Sequence, residues 1–561
     1  MGEVYNLETD VAIIGGGTAG LNSAMAAAEK GLKVLVAEKA NIERSGAIAG
    51  GIDHFHAYLE TGEPWDTREA YLGWVAKVSK GASSLKVQEA VYCDEYKAAI
   101  ERVERLGIAL RNPSTGEFYR TQALGQPGPY AINFNGKKLK PKMAKEVRRL
   151  GCRVLGRLQV TKLFLHDGEF SGFCGFDIRT GDFYQVRAKA VVIATGNTNR
   201  MFKPQTGNPF NLWYCPADTG DLHRAAYEAG VELANMEYIR MTIVPKGFSA
   251  PGFNAFLGMG SHLINSLEER YLERYHPMGE RAPRNFVVWA TYKELKEGRG
   301  PIYMDCRHLS QKDREYLFET LGYDKDTLPD FFIRKGYNLE GTMIEMTVSE
   351  PMQARPSEVC GSGIKINEEC ASNVPGLYAA GDCSDQMGCL HMCVGGGYAA
   401  GKQAAAYAAK TNNLRPIDSK EAAAEKERVF SPLEKKTGGV SSWEYEDIVR
   451  IITTDHFGPV KTENSLKSAL VKLNNLDDAH RDLMAGNLHE LMRVHEAMNI
   501  QQVAKITASA AMARKETRFP PYHYRADFTE TDDENYCGLI VVKKGSDDKP
   551  TTRFEPLSYD L

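Results

Sequence analysis

The stretch that decides the fold is DVAIIGGGTAGLNSAMAAAEKGLKVLVAEKA, residues 10–40. An apolar run typical of a strand leads through a glycine turn into an Ala-rich helix and then into a second strand, which Glu38 closes. Gly15, Gly17 and Gly20 match Gly-X-Gly-X-X-Gly, whose glycines allow a tight turn, close approach of a pyrophosphate and close helix–strand packing. The helix N-terminus favours phosphate, and an acid at the strand end can accept hydrogen bonds from a ribose. The sequence therefore predicts a dinucleotide-binding unit.

Length and composition limit the classes of protein that fit. The chain has 561 residues, enough for several domains, with 25% charged residues and a formal net charge of -4. This balance does not favour binding to nucleic acid or to anionic lipid. We expect a cytoplasmic protein with no membrane span, because the N-terminus is polar and acidic and no apolar run is long enough. The eleven cysteines include no C-X-X-C pair, so we expect no iron–sulfur cluster or metal site in this chain.

Two later segments have the same pattern of a buried strand that ends in a small-residue turn. They are RAKAVVIATG (187–196) and VPGLYAAGD (374–382). The spacing predicts one α/β, Rossmann-like nucleotide-binding domain that is discontinuous in sequence. We expect that domain at 1–230 and 358–412, an inserted α+β capping domain at 231–357, a helical domain at 413–512 and an extended tail at 513–561.

Helical patterns lie in the insertion and after it. We expect helices near 267–275 and 292–297, a Gly/Pro break at 298–305, and an Ala-rich helix after the glycines at 395–397. Leu466, Leu470 and Leu473 form the apolar stripe of a further helix. Pro520 and Pro521 are expected to end the last helix.

At this point the chain resembles a known family. The glycine turn, ERSGAIAGG (43–51), VVIATG, GLYAAGDC and the helical C-terminal region resemble the fumarate reductase/succinate dehydrogenase flavoproteins. LWYCPADTG (212–220), PIYMD (301–305), NLHELMR (487–493) and RKETRFPPYHYRADF (514–528) are most similar to the flavoprotein (alpha) subunit of adenylylsulfate reductase. The resemblance implies FAD as cofactor and [4Fe-4S] clusters in a ferredoxin-like partner subunit, hence a hetero-oligomer.

The glycine motif and the resemblance together give a set of expected FAD-binding residues. Relatives of the succinate dehydrogenase type attach FAD to a histidine after the Arg-Ser of the loop, where this chain has Gly46, so we expect non-covalent FAD. The expected cofactor-binding residues are Gly15, Gly17, Gly20, Glu38, Lys39, Ser45, Gly46, Gly50, Thr195, Gly196, Asp218, Asp382 and Gly396.

The substrate residues of fumarate reductases are expected to be altered. In our alignment the proton-donating arginine falls on Trp289, and indole cannot transfer that proton. The carboxylate-binding His and Arg fall on Cys389 and Cys393, and another family histidine falls on Glu358. Fumarate and succinate are therefore expected to be poor substrates.

The adenylylsulfate reductase branch suggests a different set of catalytic candidates. Trp213 matches its tryptophan, His56 falls on its asparagine, His391 on a histidine, and Arg240 is the nearest arginine. His56 is either an acid/base group or a core side chain. The cysteines around His391 are packing residues, a reactive thiol pair (Cys389 and Cys393) or metal ligands.

These observations predict an FAD-dependent oxidoreductase subunit that passes two electrons between a small, anionic substrate and an iron–sulfur partner. Three alternatives stay open: a flavin electron-transfer module with a vestigial pocket, a fumarate reductase-type enzyme, and a thiol/disulfide-active flavoenzyme.

Overall fold

The computed structural model describes residues 2–122, 126–204, 212, 214–249, 252–356, 358–435 and 437–559. The strands are β1 (Val4–Ile14), β2 (Val34–Glu38), β3 (His54–His56), β4 (Arg120–Thr121), β5 (Ala131–Asn133), β6 (Arg153–Gly156), β7 (Leu158–His166), β8 (Glu169–Asp177), β9 (Phe183–Ile193), β10 (Leu233–Ala234), β11 (Ile243–Pro245), β12 (His262–Ile264), β13 (Ile302–Asp305), β14 (Ile344–Val348), β15 (Gly363–Ile364), β16 (Leu377–Ala379), β17 (Val440–Ser441), β18 (Val460–Lys461), β19 (Leu483–Met484), β20 (Tyr524–Arg525), β21 (Gly538–Lys544) and β22 (Pro550–Pro556).

Helices cover the sheets and form most of the C-terminal third. They are α1 (Thr18–Ala28), α2 (Arg68–Val78), α3 (Leu85–Gln88), α4 (Tyr96–Arg105), α5 (Leu139–Arg149), α6 (Asp221–Glu228), α7 (Phe253–Gly258), α8 (Arg284–Lys296), α9 (Gln311–Asp324), α10 (Thr327–Lys335), α11 (Leu390–Lys410), α12 (Ser419–Phe430), α13 (Ser442–Phe457), α14 (Glu463–Asn475), α15 (Leu488–Ala513) and α16 (Asp533–Tyr536).

The central sheet has the order β6-β2-β1-β9-β8-β7, and β16 also pairs with β9. The pairs of β1 with β2 and β9, of β2 with β6 and of β16 with β9 are parallel, whereas β7, β8 and the first half of β9 pair antiparallel. The three strands expected from the sequence thus meet in one sheet, which confirms the Rossmann-like α/β fold. The carboxyl ends of β1, β2, β9 and β16 lie at the same edge, where an open parallel sheet binds its ligand.

The insertion has a sheet and a core of its own. Its strands have the order β11-β14-β13-β12, and its apolar cluster comprises buried side chains between Met241 and Val348. The expected helix near 267–275 is wrong, since this part of the chain forms only a short 3-10 helix at Tyr271–Arg274. The Gly/Pro break at 298–305 is followed at once by β13, since Ile302 and Met304 are buried against the cap core.

The C-terminal residues are an integral part of the fold. β21 pairs with both β22 and β10, which places residues 538–556 on a four-stranded sheet with β15. The helix α15 ends at Ala513, before Pro520, where Arg514 leaves helical geometry. Among the described residues, no helix is both long and apolar enough to cross a membrane.

Candidate active site

The glycine turn between β1 and α1 forms one wall of a large cavity. Gly15 has φ of +105°, and a Cβ there would lie 2.3 Å from the Ala194 carbonyl oxygen. At Gly20 a Cβ would lie 1.8 Å from the Gly15 carbonyl oxygen, so α1 packs directly on the turn. A Cβ at Gly17 would meet nothing closer than 3.9 Å. Gly17 therefore faces open space at the uncapped N-terminus of α1, which is a cradle for phosphate.

The cavity has a volume of about 960 Å³ and continues from this turn to the inserted cap. Ten of the thirteen expected cofactor residues line it: Gly15, Gly17, Glu38, Lys39, Ser45, Gly46, Thr195, Gly196, Asp218 and Asp382. Gly20 lies behind the wall, and Gly50 is exposed. Gly396 lies inside α11, where a Cβ would lie 2.4 Å from Oε1 of Gln386. The expected start of this helix after the glycines is wrong, since α11 begins at Leu390.

The end of β2 carries the acid expected to bind ribose. Glu38 is buried, and its two carboxylate oxygens accept hydrogen bonds from the backbone N–H groups of Gly16 (2.6 Å) and Ala40 (2.7 Å). An ionised carboxylate can accept about four hydrogen bonds, so it can still accept from a ribose hydroxyl. Lys39 points into an ion-pair network with Asp221 (2.8 Å) and Glu496 (2.9 Å). Burial would lower the pKa of Lys39, but these two acids raise it, so Lys39 stays charged.

The residues of this wall fit FAD. The turn holds backbone amides against open space, Ser45 and Gly46 lie beside Gly16 and Gly17, and Glu38 closes the far end. Burial, with Asp382 and Glu38 nearby, raises the pKa of Asp218 well above its ordinary value despite the opposing charge of Lys39. A protonated Asp218 can donate a hydrogen bond to an anionic ligand.

The opposite end of the cavity, toward the cap, contains Arg240. Its Nη1 donates to the Tyr214 hydroxyl at 2.5 Å, and Nη2 lies 3.5 Å from Glu358 Oε2. Burial would raise the pKa of Glu358, but Arg240 and Arg284 hold it below its ordinary value. The hydroxyl of Tyr522 donates to the other Glu358 oxygen. Trp213, the other candidate expected here, lies outside the described residues.

Sequence reasoning missed Arg284 and misplaced the arginine position. Arg284 is the first residue of α8 and lines the cavity, whereas Trp289 does not. Trp289 stacks on Tyr292, with ring centroids 5.5 Å apart, and packs against Tyr524. The interpretation that indole replaces a guanidinium in the pocket is therefore wrong. The signal was the Pro-Arg pair at the helix start, because a helix entering a cavity presents its first turn there.

The two candidate histidines lie together in the cavity wall. The rings of His56 and His391 stack with centroids 5.3 Å apart. Burial, with His54 and Arg284 nearby, lowers the pKa of His56 to about 3, and burial also lowers that of His391 well below its ordinary value. Nε2 of Gln126 donates to His56 Nδ1 at 3.0 Å, so the neutral ring carries its proton on Nε2. That buried Nε2 makes no hydrogen bond within the described part of the chain.

The cysteines lie on the first turn of α11. Cys389 is its N-cap residue, and Cys393 Sγ lies 3.6 Å from Asp382 Oδ1 and 3.5 Å from Arg355. Burial and then Asp382 raise the pKa of the Cys393 thiol well above its ordinary value, so its environment does not favour a thiolate nucleophile. In the described chain, no group of three or more His, Cys, Asp or Glu side chains is placed to hold a metal ion.

Comparison with known proteins decides the family. The sequence profile described as "FAD binding domain" matches residues 10–401. The chain belongs to this FAD-binding family. A second profile, "Fumarate reductase flavoprotein C-term", matches residues 447–561. The chain is thus an FAD-dependent oxidoreductase of the fumarate reductase, succinate dehydrogenase and adenylylsulfate reductase flavoprotein group, as the resemblance implied.

Individual relatives are similar over almost the whole chain. An uncharacterized FAD-dependent oxidoreductase of Methanocaldococcus jannaschii is 27% identical over 96% of this chain and 96% of that protein. One subunit of the fumarate reductase (CoM/CoB) of Methanothermobacter marburgensis is 26% identical over 97% and 98%. Among solved structures, adenylylsulfate reductase of Archaeoglobus fulgidus has a TM-score of 0.89 at 24% identity, covering 99% of this chain and 97% of that one. At this identity the last likeness concerns the fold.

Proposed function

We propose that the chain is the flavoprotein subunit of an adenylylsulfate reductase-like complex, which passes two electrons between a small anionic substrate and an iron–sulfur partner. The observation that carries the proposal is the pair of guanidiniums, Arg240 and Arg284, in the part of the cavity away from the glycine turn. Two arginines that line a partly enclosed cavity attract an anion and can orient it through their planar fork. Bound FAD supplies two-electron redox chemistry there.

The described side chains suggest how the substrate is held. Arg240 is fixed by Tyr214 and Glu358, so its guanidinium has a defined direction before any ligand arrives. Nε2–H of His56 is a hydrogen-bond donor without a protein acceptor in the described part of the chain, and it lies in the wall beside His391. We propose that His56 donates this hydrogen bond to negative charge that develops on the substrate, as a neutral imidazole can.

The vestigial-pocket alternative is less well supported by these contacts. A pocket without substrate would not need the buried Arg240, since an unused buried charge costs stability. The fumarate reductase-type alternative is favoured by one observation, the position of Arg284 in the cavity, because the argument against it relied on Trp289. Adenylylsulfate and fumarate are therefore the two compounds to compare.

The test is an anaerobic half-reaction on the FAD-loaded protein. After photochemical reduction, adenylylsulfate or fumarate is added separately and the return of flavin absorbance is followed. We expect adenylylsulfate to restore the absorbance rapidly, and rapid reoxidation by fumarate alone would select the second candidate. Arg284→Gln should slow the responsive reaction, whereas Arg553→Gln, on the distant β22, should not. No response to either compound would contradict both candidates.

The iron–sulfur partner is supported by what two relatives are called. Both the Methanothermobacter protein and the 8-methylmenaquinol:fumarate reductase flavoprotein of Wolinella succinogenes (26% identical over 96% of this chain and 89% of that protein) are named as subunits. We expect the chain to co-purify from its native host with an iron-containing protein, measured by iron and labile sulfide. Isolation in high yield as a lone flavoprotein would contradict this part of the proposal.

A further inference from the structure

The charged side chains in the cap-side part of the cavity nearly cancel one another. They form what we term the inner cluster, which comprises Arg240, Arg284, Arg355, Glu358 and Asp382. Two of the three guanidiniums face a carboxylate within the cluster. The net charge that a substrate meets is therefore smaller than the number of arginines suggests.

Arg355 and Asp382 form a closed pair at the wall. Nη2 of Arg355 bonds Asp382 Oδ1, and the same guanidinium donates to the carbonyl oxygens of Gln386 (3.1 Å) and Cys389 (3.0 Å). Arg355 is 1% exposed and does not line the cavity. This pair contributes almost no net charge to the space in front of it.

Arg240 and Glu358 form a second pair that does line the cavity. Their closest atoms are 3.5 Å apart, and Glu358 also accepts the hydroxyl proton of Tyr522. The pKa of Glu358 lies below its ordinary value because Arg240 and Arg284 outweigh the effect of burial. Glu358 is therefore an anion at neutral pH, and it cancels the charge of one of the two lining arginines.

Arg284 carries the charge that remains. Within the described part of the chain it forms no ion pair: its guanidinium donates to Asn254 Oδ1 and lies 5.8 Å from the centre of the Phe253 ring, and both partners are neutral. His56 and His391 are neutral, and Asp53 is paired with His54 at 2.7 Å. Residues 123–125, 205–211, 213, 250–251 and 357, which lie outside the described residues, include no charged side chain.

We propose that the pocket selects a substrate whose reacting part carries a single negative charge, and that Glu358 excludes a second one. The proposal deepens the function proposed above and depends on it. One anionic group balances Arg284, whereas a second would face Glu358 with no unpaired cation of the inner cluster left to receive it. Like charges at close range in a partly buried site are costly, so a dianion of the same shape binds less well.

The test compares two ligands of equal shape and different charge. Fumarate has two carboxylates, and its monoamide, fumaramate, replaces one of them by a carboxamide. Isothermal titration calorimetry on the FAD-loaded protein at neutral pH should give a Kd for fumaramate at least about tenfold below that for fumarate, since about 1.4 kcal/mol of repulsion corresponds to tenfold. This comparison uses the wild-type protein alone.

Glu358→Gln should then shift the ratio of the two Kd values about tenfold toward fumarate, because the same repulsion is removed. Glu232→Gln is the matched control: Glu232 also faces an arginine, Arg553 at 2.8 Å, but does not line the cavity, so the ratio should stay unchanged. A wild-type preference for fumarate, or an unchanged ratio in Glu358→Gln, would overturn the monoanion proposal and leave the anionic site intact. Failure of both ligands to bind the wild type would overturn the small-anion site itself.

Discussion

At the scale of single residues, Gly20 fixes how closely α1 approaches the turn. Gly20→Ala would place a methyl carbon 1.8 Å from the Gly15 carbonyl oxygen, so the helix must move away from the cradle. We expect this variant to lose most of its FAD, measured as the flavin-to-protein absorbance ratio after gel filtration. Gly73→Ala in α2, whose new methyl meets nothing within 4 Å, should keep full FAD. Full FAD in Gly20→Ala would show that the turn does not hold the cofactor.

The second prediction concerns how FAD is attached. Gly46 has φ of +80° and has no nucleophilic side chain to bond the cofactor. We expect acid precipitation to release all the yellow colour into the supernatant, with the pellet colourless. Colour retained in the washed pellet would contradict non-covalent binding and would locate a covalent link by peptide mapping.

A buried histidine makes stability depend on pH. His223 contacts Thr198 Oγ1 and the Cys383 carbonyl oxygen, each at 3.2 Å, and burial lowers its pKa to about 4. The unfolded chain takes up this proton near pH 6.5, so the contribution of His223 is complete above pH 6.5 and is lost as pH falls to about 4.

We therefore expect His223→Gln to reduce the slope of unfolding free energy against pH between 4.5 and 6 by about 1.4 kcal/mol per pH unit. Urea unfolding of the FAD-loaded protein at several pH values measures this slope. His308→Gln, at an exposed position, should leave the slope unchanged. Equal slopes in His223→Gln and the wild type would mean that this histidine is protonated when folded.

At the scale of elements, the C-terminal segment changes the interpretation of the aromatic and charged sequence at 514–528. That sequence was expected to bind a partner, but its arginines are buried in the subunit itself. Arg514 is 0% exposed and bonds Glu237 Oε1 at 2.6 Å, Glu516 Oε1 at 2.8 Å and the Gly538 carbonyl oxygen at 2.7 Å. Deleting residues from 515 onward would remove β21 from the sheet of β10, so such a deletion cannot test partner binding alone.

We expect Arg514→Ala to lower the free energy of unfolding by about 3–5 kcal/mol, because it leaves buried Glu237 without its counter-charge. The change would appear as a lower urea midpoint with an unaltered slope. The exposed pair of Arg553 and Glu232 is the control, and Arg553→Ala should cost less than about 1 kcal/mol. Equal midpoints for the two variants would contradict the structural role of Arg514.

Local patterns predicted some elements well and others poorly. The first strand, helix and strand were predicted because each shows its own periodicity within 40 residues, and the leucine stripe gave α14. The start of α11 was missed, because Cys389 makes no side-chain capping bond and the glycines at 395–397 looked like a break. Those glycines lie inside the helix since Ala19 and Tyr96 approach too closely for a side chain.

At the scale of the whole molecule, a buried ion-pair network joins the nucleotide-binding part to the helical part. Glu496 of α15 bonds Lys39 at 2.9 Å and Arg200 at 2.8 Å, and Arg200 also pairs with Glu446 of α13. Burial would raise the pKa of Glu496, but Arg200 and Lys39 lower it to about 2. Because Lys39 lines the cavity, the packing of α15 affects the wall where we propose FAD binds.

We expect Glu496→Gln to destabilise the protein by about 3–5 kcal/mol and also to weaken FAD binding, because Lys39 loses a buried partner. Thermal unfolding and titration of the apoprotein with FAD measure the two effects. Glu427→Gln, at an exposed position of α12, should change neither. Lower stability with unaltered FAD affinity would restrict the network to a structural role.

The site could be predicted only where local sequence marks it. The glycine turn and Glu38 have a motif, and ten of the expected FAD residues line the cavity. Arg284, Arg355, Glu358 and Tyr522 have none, since each lies in an ordinary local sequence and the fold brings them together from distant segments. The error at Trp289 has the same cause, because the register of an isolated helix cannot be read without knowing which turn enters the cavity.

The pairing of β10 with β21 has a consequence for how the chain is made. About 300 residues separate the two strands, so on the ribosome β10 waits roughly 15 to 60 seconds for its partner at usual rates of synthesis. The nucleotide-binding sheet likewise stays incomplete until β16 has emerged and can pair with β9. Nascent chains that end before residue 380 should therefore be open to proteases and unable to retain FAD, and the last 25 residues complete the sheet that begins with β10.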